Sequence, residues 1–552
     1  MSLGLHDFSK KESRLVLAFM WVAFASLLIG GLMGLLQVFV RTGQFKLPFG
    51  IEYYQVLTVH GVILGLVLTT FFIIGFQFAL IKKTLGMTDK ERKWGWVSFW
   101  VMLVGTTITA ITILLGKASV LYTFYAPLAA NPAFYIGLAL VVVGSWIAVF
   151  LNFVQYYKWK KQNKGKPGPL LAFMVVVNMA IWFIATLGVA ATVLLQFIPW
   201  SLGMVDSINV LVSRTLFWYF GHPLVYFWLL PAYMAWYGII PKIIGGKIFS
   251  EPLARLAFIL FLLFSIPVGF HHQLTEPGVS SLWKYIQTVL TFAVVIPSLL
   301  TAFSMFAVFE TTGRAKGYTG IFGWFKGLPW KDVRFFAPMI GMLAFIPAGT
   351  GGLINASFQL NQVIHNTIWV TGHFHLTVAT TVMLTFFGIS YWLVPHLTGR
   401  VLDKKTNKLG IIQTIVWTVG MFFMSGSMHI AGLLGAPRRS SYSDYGGTEQ
   451  AAEWIGYQYA QAIGGTILFI GILLMAYIFI YMLYFAPKGV EEFPIAETEK
   501  DAPESPAIFD NWKLWIGITV ALILLAYTIP FIDIIQNSPP GSEPFRSIIG
   551  NS

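Results

Sequence analysis

The stretch that decides the fold runs from Phe335 to Gly399 and reads FFAPMIGMLAFIPAGTGGLINASFQLNQVIHNTIWVTGHFHLTVATTVMLTFFGISYWLVPHLTG. It contains no Asp, Glu, Lys or Arg. A helix needs about 20 apolar residues to cross a bilayer, so this stretch must hold more than one membrane span. The whole chain of 552 residues is 57% hydrophobic and 11% charged, whereas soluble domains carry about 25% charged residues. We therefore predict an all-α, polytopic membrane protein.

Hydrophobic runs separated by charged or turn-rich breaks predict about thirteen transmembrane helices. They lie near residues 14–40, 52–81, 95–116, 133–156, 170–197, 209–240, 254–270, 285–309, 335–356, 366–395, 409–435, 454–486 and 512–536. We interpret residues 1–552 as a single membrane domain. It consists of a twelve-helix core over about 14–486, an acidic linker over 487–511 and an extra C-terminal helix over about 512–536. We expect the linker to be a solvated connector.

Loop charges predict the orientation. If the N-terminus is cytoplasmic, most loop lysines and arginines fall on the inner side, as the positive-inside rule requires. The C-terminus then lies outside. The net charge of +13 is explained by this topology, and we expect no nucleic-acid partner because the basic residues are not gathered on a water-soluble face. The expected surroundings are membrane lipid, in the cell membrane of a prokaryote.

Metal chemistry in this chain has to rely on histidine. There are no cysteines, which excludes thiolate zinc sites, iron–sulfur clusters and covalently attached c-type haem. Predicted helix directions place six of the ten histidines in the outer half of the membrane. These six are His60, His222, His271, His272, His373 and His375. Ionisable side chains at membrane depth are costly and indicate function, so their shared depth predicts metal ligation.

The spacing of His373 and His375 indicates two separate metal centres. Residues two apart on a helix project about 200° apart, so the two histidines cannot bind the same metal. His60 could pair with His375 as the two axial ligands of one haem, while His373 supplies one axial ligand to a second haem. Neutral imidazoles also suit a redox copper. The copper ligands could then be His222, His271 and His272.

A line of hydroxyl groups lies close to the predicted copper site. Tyr226 is four residues from His222 and shares its helix face, so it could donate a proton and an electron there. Tyr233 and Tyr237 follow further inward on the same helix. The facing helix carries Ser298, Thr301 and Ser304. This series favours a proton path from the cytoplasm, although hydroxyl groups also serve interhelical hydrogen bonding in membrane proteins.

Three motifs carry a family resemblance: WYFGHPLVYFW at 218–228, GFHHQ at 269–273 and WVTGHFHLTVA at 369–379. Over essentially its whole length the chain resembles subunit I of the haem–copper oxidase superfamily. The resemblance implies the same metal ligands as the helix geometry, with the His60 and His375 haem low-spin and the His373 haem high-spin. It also implies that Tyr226 occupies the position that the superfamily cross-links to its first copper histidine.

Details of the resemblance indicate a B-type enzyme, a class in which the ba-type cytochrome c oxidases are the familiar members. Leu224 replaces the glutamate that A-type enzymes carry in the HPEVY motif. A single K-type channel would then deliver all protons. Arg438 and Arg439 match the arginine pair that holds haem propionates, and His365 matches a histidine on the propionate side. The sequence departs from the best-known B-type enzyme at Asn361, where an aspartate is expected.

The resemblance implies a respiratory terminal oxidase that contains two haems and one copper, reduces dioxygen to water and pumps protons. Without cysteine the chain cannot form a dithiolate copper centre, so cytochrome c would have to donate electrons through a partner subunit II. A quinol oxidase or a nitric oxide reductase of the same superfamily are alternatives. A metal-free proton or ion transporter is an alternative of another class.

Overall fold

The computed structural model describes residues 5–499 and 502–545, and thirteen helices account for most of them. The helices are α1 (Lys10–Arg41), α2 (Tyr53–Leu85), α3 (Asp89–Leu114), α4 (Pro132–Gln162), α5 (Leu170–Ser201), α6 (Val210–Ile243), α7 (Glu251–Ser265), α8 (Ser281–Ala315), α9 (Val333–Ala356), α10 (Ile368–Thr398), α11 (Lys404–Leu433), α12 (Glu449–Tyr484) and α13 (Trp512–Asn537). Each coincides with one predicted span. Within the described residues there is no β-strand, only isolated β-bridges. The all-α class and the polytopic architecture are confirmed.

Local sequence signals set the helix ends. Asn131 caps α4 through its side chain and is followed by Pro132 at the first helical position, where a missing N–H costs nothing. Asp403 caps α11 in the same way. At the end of α10, Gly399 adopts a left-handed φ of 66°, which glycine tolerates without steric cost. The shorter helices are Phe270–Gln273, Gly323–Gly327, Phe358–Ile364 and Ala507–Asp510.

Twelve of the thirteen helices are long and apolar enough to cross a membrane, and α7 is the exception. Its 15 residues span only about 22 Å, because the chain leaves the helix before Pro267 and Gly269. The backbone then forms the short 3₁₀ turn Phe270–Gln273. Non-helical backbone is tolerated at membrane depth only where protein surrounds it, and Phe270 and His271 are buried. The early end of α7 therefore places a histidine turn inside the bundle.

The linker packs onto the protein, which differs from the expected solvated connector. Phe493 and Ile495 are buried, and the backbone N–H of Ala496 donates to the carbonyl of Gly238 at 2.7 Å. Arg334 binds the Glu491 carboxylate at 2.6 Å. Apolar side chains that alternate with the acidic ones explain the packing, because they need a surface to cover them. Lys500 and Asp501 of the linker lie outside the described residues.

The helices that carry the predicted ligands lie at the centre of the bundle. The spans α2, α5, α6 and α10 are the most enclosed by protein, whereas α13 is the least and contacts mainly α6 and α7. The fold does not distinguish the two sides of the membrane, so the predicted orientation stays a prediction. We call the side on which α1 begins the inner face.

Candidate metal centres

Three histidines meet where α6 passes the turn after α7. The ligand nitrogens of His222, His271 and His272 all lie within 4.8 Å of one another, the one such group in the part of the chain that the structure describes. Nδ1 of His222 is 3.3 Å from Nε2 of His272. Nε2 of His222 is buried and has no protein partner. Three imidazoles at this spacing can ligate one metal ion, and their chemistry suits copper.

Neighbouring side chains fix these rings in place. The Trp218 ring lies flat on His272, with centroids 3.9 Å apart and planes within 6°. Thr291 on α8 makes a 3.1 Å hydrogen bond with Nδ1 of His271. A hydrogen bond at one imidazole nitrogen orients the other toward a metal. The sequence assigns no role to Trp218. Thr291 could not be predicted, because no spacing rule links it to a turn twenty residues earlier.

Tyr226 lies beside this cluster. Its ring is 5.1 Å from that of His222, at an interplanar angle of 69°, as expected for residues one turn apart on α6. The phenol is thus close to the candidate metal ligands. A group that donates a proton or an electron at this cluster would have to lie in this position.

His60 on α2 and His375 on α10 face each other as two nearly parallel rings. Their centroids are 6.2 Å apart and their planes differ by 14°. Metal–imidazole bonds are about 2 Å long, so two imidazoles on opposite sides of one iron would have centroids about 6 Å apart. Nδ1 of His60 bonds to the carbonyl of Gly30 at 2.8 Å, and Nδ1 of His375 bonds to that of Thr371 at 2.8 Å. Both Nε2 atoms therefore keep their lone pairs for a metal, and the pair fits a haem with two axial histidines.

His373 points to the opposite side of α10, toward α9. A Cβ atom added to Gly351 on α9 would lie 2.8 Å from Nδ1 of His373, so this glycine permits the close approach. Trp369 stacks one turn away, with ring centroids 6.0 Å apart. The two-sided arrangement predicted for His373 and His375 is what the structure contains.

Helices α2 and α10 each contain a π-helical turn just after a candidate haem ligand. A π-helical turn spans Ile63–Leu68 after His60, and another spans Thr377–Val382 after His375. Such insertions are frequent at functional sites because they re-aim the side chains around them. Nothing in the spacing of the sequence indicated them.

An arginine pair lies in the outer loop between α11 and α12. Arg438 donates to the side chain of Asn366 at 2.9 Å, and Arg439 lies over the rings of Tyr122 and Tyr125. The buried Nε atoms of both arginines have no protein partner. Burial and the charge of Arg439 lower the pKa of Arg438 to about 10. Two guanidinium groups with free, buried donors fit the carboxylates of a haem edge.

His365 and Asn361 form a polar pair near these arginines. Nδ1 of His365 is 3.0 Å from Oδ1 of Asn361, and Nδ2 of Asn361 donates to the carbonyl of Asn355 at 2.6 Å. Burial, and next the charges of Arg438 and Arg439, lower the pKa of His365 to about 4. His365 is therefore a neutral hydrogen-bonding group at ordinary pH.

The predicted proton path forms contacts between α6 and α8. The Tyr237 hydroxyl donates to Thr301 at 3.1 Å, while Thr301 donates to the carbonyl of Pro297. Tyr233 lies beside Ser298, and Tyr237 also lies beside Ser304. The five side chains therefore form two groups between α6 and α8, Tyr233 with Ser298 and Tyr237 with Thr301 and Ser304.

Known proteins are similar to this chain over nearly all of its length. Residues 14–467 match the family described as "Cytochrome C and Quinol oxidase polypeptide I". A cytochrome c oxidase subunit 1 of Thermus thermophilus is 40% identical over 94% of both chains. A quinol oxidase subunit 1 of Sulfolobus acidocaldarius is 26% identical over 73% of this chain and 77% of that protein.

A solved structure agrees with the sequence relatives. One described as a heme-copper terminal oxidase dimer superposes with a TM-score of 0.93 at 38% identity, covering 98% of this chain and 96% of that one. Both the sequence and the fold thus agree with the geometry of the histidines. The chain belongs to the cytochrome c and quinol oxidase polypeptide I family and is the catalytic subunit of a membrane-bound terminal oxidase.

Proposed function

We propose that this chain reduces dioxygen to water at a high-spin haem and a copper ion, with electrons supplied by a low-spin haem. The observation that carries the proposal is the arrangement around α10. His375 forms a parallel pair with His60, and His373 projects to the other side, toward α9. The three-histidine cluster completes the set of ligands.

The assignments of single residues follow this arrangement. His60 and His375 hold the low-spin haem, and His373 holds the high-spin haem. Arg438, Arg439 and His365 bind the propionate side. His222, His271 and His272 would hold the copper, which would supply redox chemistry for the reduction of dioxygen.

One short helix segment links the proposed ligands of the two haems, which would supply the electron-transfer chemistry. His373 and His375 are separated by one residue on helix α10, so this helix would hold both haem ligands at a fixed separation. Trp369 packs against His373 and restrains its ring. The protein thereby positions both groups without a mobile element.

Proton supply is the task of Tyr226 and the hydroxyl line inward of it. Tyr237 and Thr301 are already hydrogen-bonded, and Tyr233 and Ser298 continue the line toward Tyr226. We propose that protons enter from the cytoplasm along this line, both for water formation and for pumping. Leu224 offers no carboxylate for a second entry path, which supports the B-type assignment.

Cytochrome c is the proposed electron donor, through a partner subunit II. The 40% identical Thermus thermophilus relative is described as a cytochrome c oxidase subunit 1, and the quinol oxidase relative is more distant at 26%. Because the chain has no cysteine, we assign the entry copper centre to the partner. We also propose the division into a core over about 14–486, the packed linker and an extra helix α13, in the cell membrane of a prokaryote.

Nitric oxide reductase is the closest alternative within the superfamily. That enzyme uses a non-haem iron with glutamates nearby. Here Tyr226 stands next to the histidine cluster, and Glu276, which follows the histidine turn in the chain, is paired with Arg214 at 3.3 Å. This arrangement favours the oxidase.

The optical spectrum of the purified, dithionite-reduced protein, recorded before and after carbon monoxide, tests the proposal. We expect two haems per chain, of which only one shifts on binding carbon monoxide, and one copper by metal analysis. An iron in place of copper would indicate nitric oxide reductase. Haem-free protein after full cofactor supply would contradict the catalytic assignment of the histidines.

A further inference from the structure

The turn that carries two of the three proposed copper ligands has no side-chain N-cap of its own. Phe270–Gln273 is a single 3₁₀ turn that begins after Gly269. The first N–H groups of any helix have no partner within the helix, and glycine has no side chain with which to cap them. A partner for these donors has to come from elsewhere in the fold.

Gln287 on α8 supplies that partner. Its Oε1 accepts from the backbone N–H of Gly269 at 2.8 Å and from that of Phe270 at 2.9 Å. The side chain is 1% exposed, so water does not compete for these bonds. One amide oxygen therefore satisfies both donors at the start of the histidine turn.

The other end of the same amide is bound to α13. Nε2 of Gln287 donates to the carbonyl of Ala526 at 3.1 Å. Within a regular helix this carbonyl would accept from residue 530, but Pro530 lies inside α13 and has no N–H to give. Pro530 thus frees the carbonyl that Gln287 uses.

One turn further along α8, Thr291 connects Gln287 to the metal ligand itself. The Thr291 hydroxyl donates its single hydrogen to the carbonyl of Gln287 at 2.6 Å, so toward His271 its oxygen can only accept. The hydrogen bond to His271 then comes from Nδ1–H. That tautomer leaves the lone pair of Nε2 for the copper.

The turn has no room to move between its neighbours. A Cβ atom added to Gly269 would lie 2.6 Å from the hydroxyl of Tyr527 on α13 and 3.1 Å from the carbonyl of Trp218 on α6. The rings of Phe270 and Tyr527 are also in contact, with centroids 5.6 Å apart. The last helix, which lies at the edge of the bundle, is therefore in direct contact with the copper-ligand turn.

We propose that Gln287 is a positioning residue that fixes the His271–His272 turn against α13 and thereby sets the copper geometry. The inference rests on the proposed copper ligation. It assigns to α13 a part in the active site although the helix supplies no ligand. Gln287 itself touches neither metal nor substrate.

The test compares Gln287→Leu and Gln287→Glu with wild type in the purified oxidase. For Gln287→Leu we expect copper affinity to weaken about 10-fold or more, the infrared stretching band of copper-bound carbon monoxide to shift, and amide protection of the 269–273 segment to be lost. A buried glutamic acid is protonated and can both accept and donate, so Gln287→Glu should restore all three readouts. Deuterium exchange is measured on copper-depleted protein as well.

Gln77→Leu is the matched control, because Gln77 is a fully buried glutamine on α2 without a hydrogen-bond partner. If Gln287→Leu behaves like this control, the proposal is overturned. Pro530→Ala gives an independent test: its new N–H competes for the Ala526 carbonyl, and we expect faster exchange of the turn. Unchanged exchange in this variant would overturn the proposed contribution of α13 to holding the turn.

A wild-type protein with haem but no copper would contradict the proposed function instead. The exchange measurement on the copper-depleted protein would still decide whether Gln287 holds the turn. The two failures are therefore distinguishable.

Discussion

The phenol of Tyr226 stands one helical turn from His222, with the two rings in edge contact. If Tyr226 donates a proton and an electron during oxygen reduction, Tyr226→Phe removes the reacting group but keeps the ring. We expect turnover to fall about 100-fold or more, with haem and copper contents unchanged. Oxygen consumption and metal analysis measure the two effects. Tyr391→Phe is the control, since Tyr391 is buried on the inner half of α10 and bonds to Gln413.

His373 is the proposed single axial ligand of the high-spin haem. The His373→Ala variant should lose that haem and keep the low-spin one, because the His60 and His375 pair lies on the other side of α10. The difference spectrum with carbon monoxide should then vanish while a low-spin reduced spectrum persists. His6→Ala, an exposed change near the N-terminus, should leave both spectra intact. A retained carbon monoxide difference in His373→Ala would refute the assignment.

At the scale of the helix, the contact between α6 and α8 carries the proposed proton supply. Thr301 accepts from Tyr237 and is nearly fully buried. Valine has the shape of threonine without its hydroxyl, so Thr301→Val breaks the line with little change in packing. We expect proton uptake and turnover to fall by about 100-fold, the lower end of what a positioned proton-transfer group contributes.

The control for this change is Thr414→Val on α11. Thr414 is equally buried and its hydroxyl donates only to the carbonyl of Gly410 in its own helix. The turnover of the Thr414→Val variant should equal that of the wild-type protein. Equal turnover of the Thr301 and Thr414 variants would show that the hydroxyl line is structural.

Helical spacing explains which parts of the site could be predicted from the sequence. The depth of each histidine follows from its position along a span, and the opposite directions of His373 and His375 follow from 100° per residue. The contacts of Gln287 and Thr291 could not be predicted in this way. They join α8 to a non-helical turn, whose direction depends on where α7 ends and on how α13 packs.

At the scale of the whole molecule, the linker packs on the inner face of the bundle, although its composition predicted a solvated connector. The acidic residues of 487–511 predicted solvation. In the structure, however, Phe493 and Ile495 are buried, and the backbone of Ala496 bonds to the end of α6. Charge density along a segment does not reveal whether its apolar residues share one face, and that shared face decides whether the segment packs.

Asp510, near the end of this linker and just before α13, binds the linker to the rest of the protein through its carboxylate. Its carboxylate accepts from Tyr156 at 2.7 Å, from Lys160 at 2.8 Å and from the backbone N–H of Gly168 at 3.1 Å. Burial alone would raise the pKa of Asp510, but the hydrogen bonds from Lys160 and Tyr156 outweigh it and hold the pKa below its usual range. Lowering the pKa in the folded state means that the ionised form stabilises the fold.

The stabilisation by Asp510 is complete above its ordinary pKa of about 4 and is lost as the pH falls through the lower pKa of the folded protein. Asp510→Asn should therefore reduce the free energy of unfolding by about 1 to 3 kcal/mol at pH 7, and the deficit should shrink in acid. Thermal unfolding in detergent, followed from pH 7 down to about pH 2, measures it, because the deficit can shrink only below the ordinary pKa. Asp533→Asn is the control, because the Asp533 carboxylate accepts only from Asn537 in the same helix. A deficit that stayed constant into acid would mean that the charge of Asp510 does not hold α13 to the core.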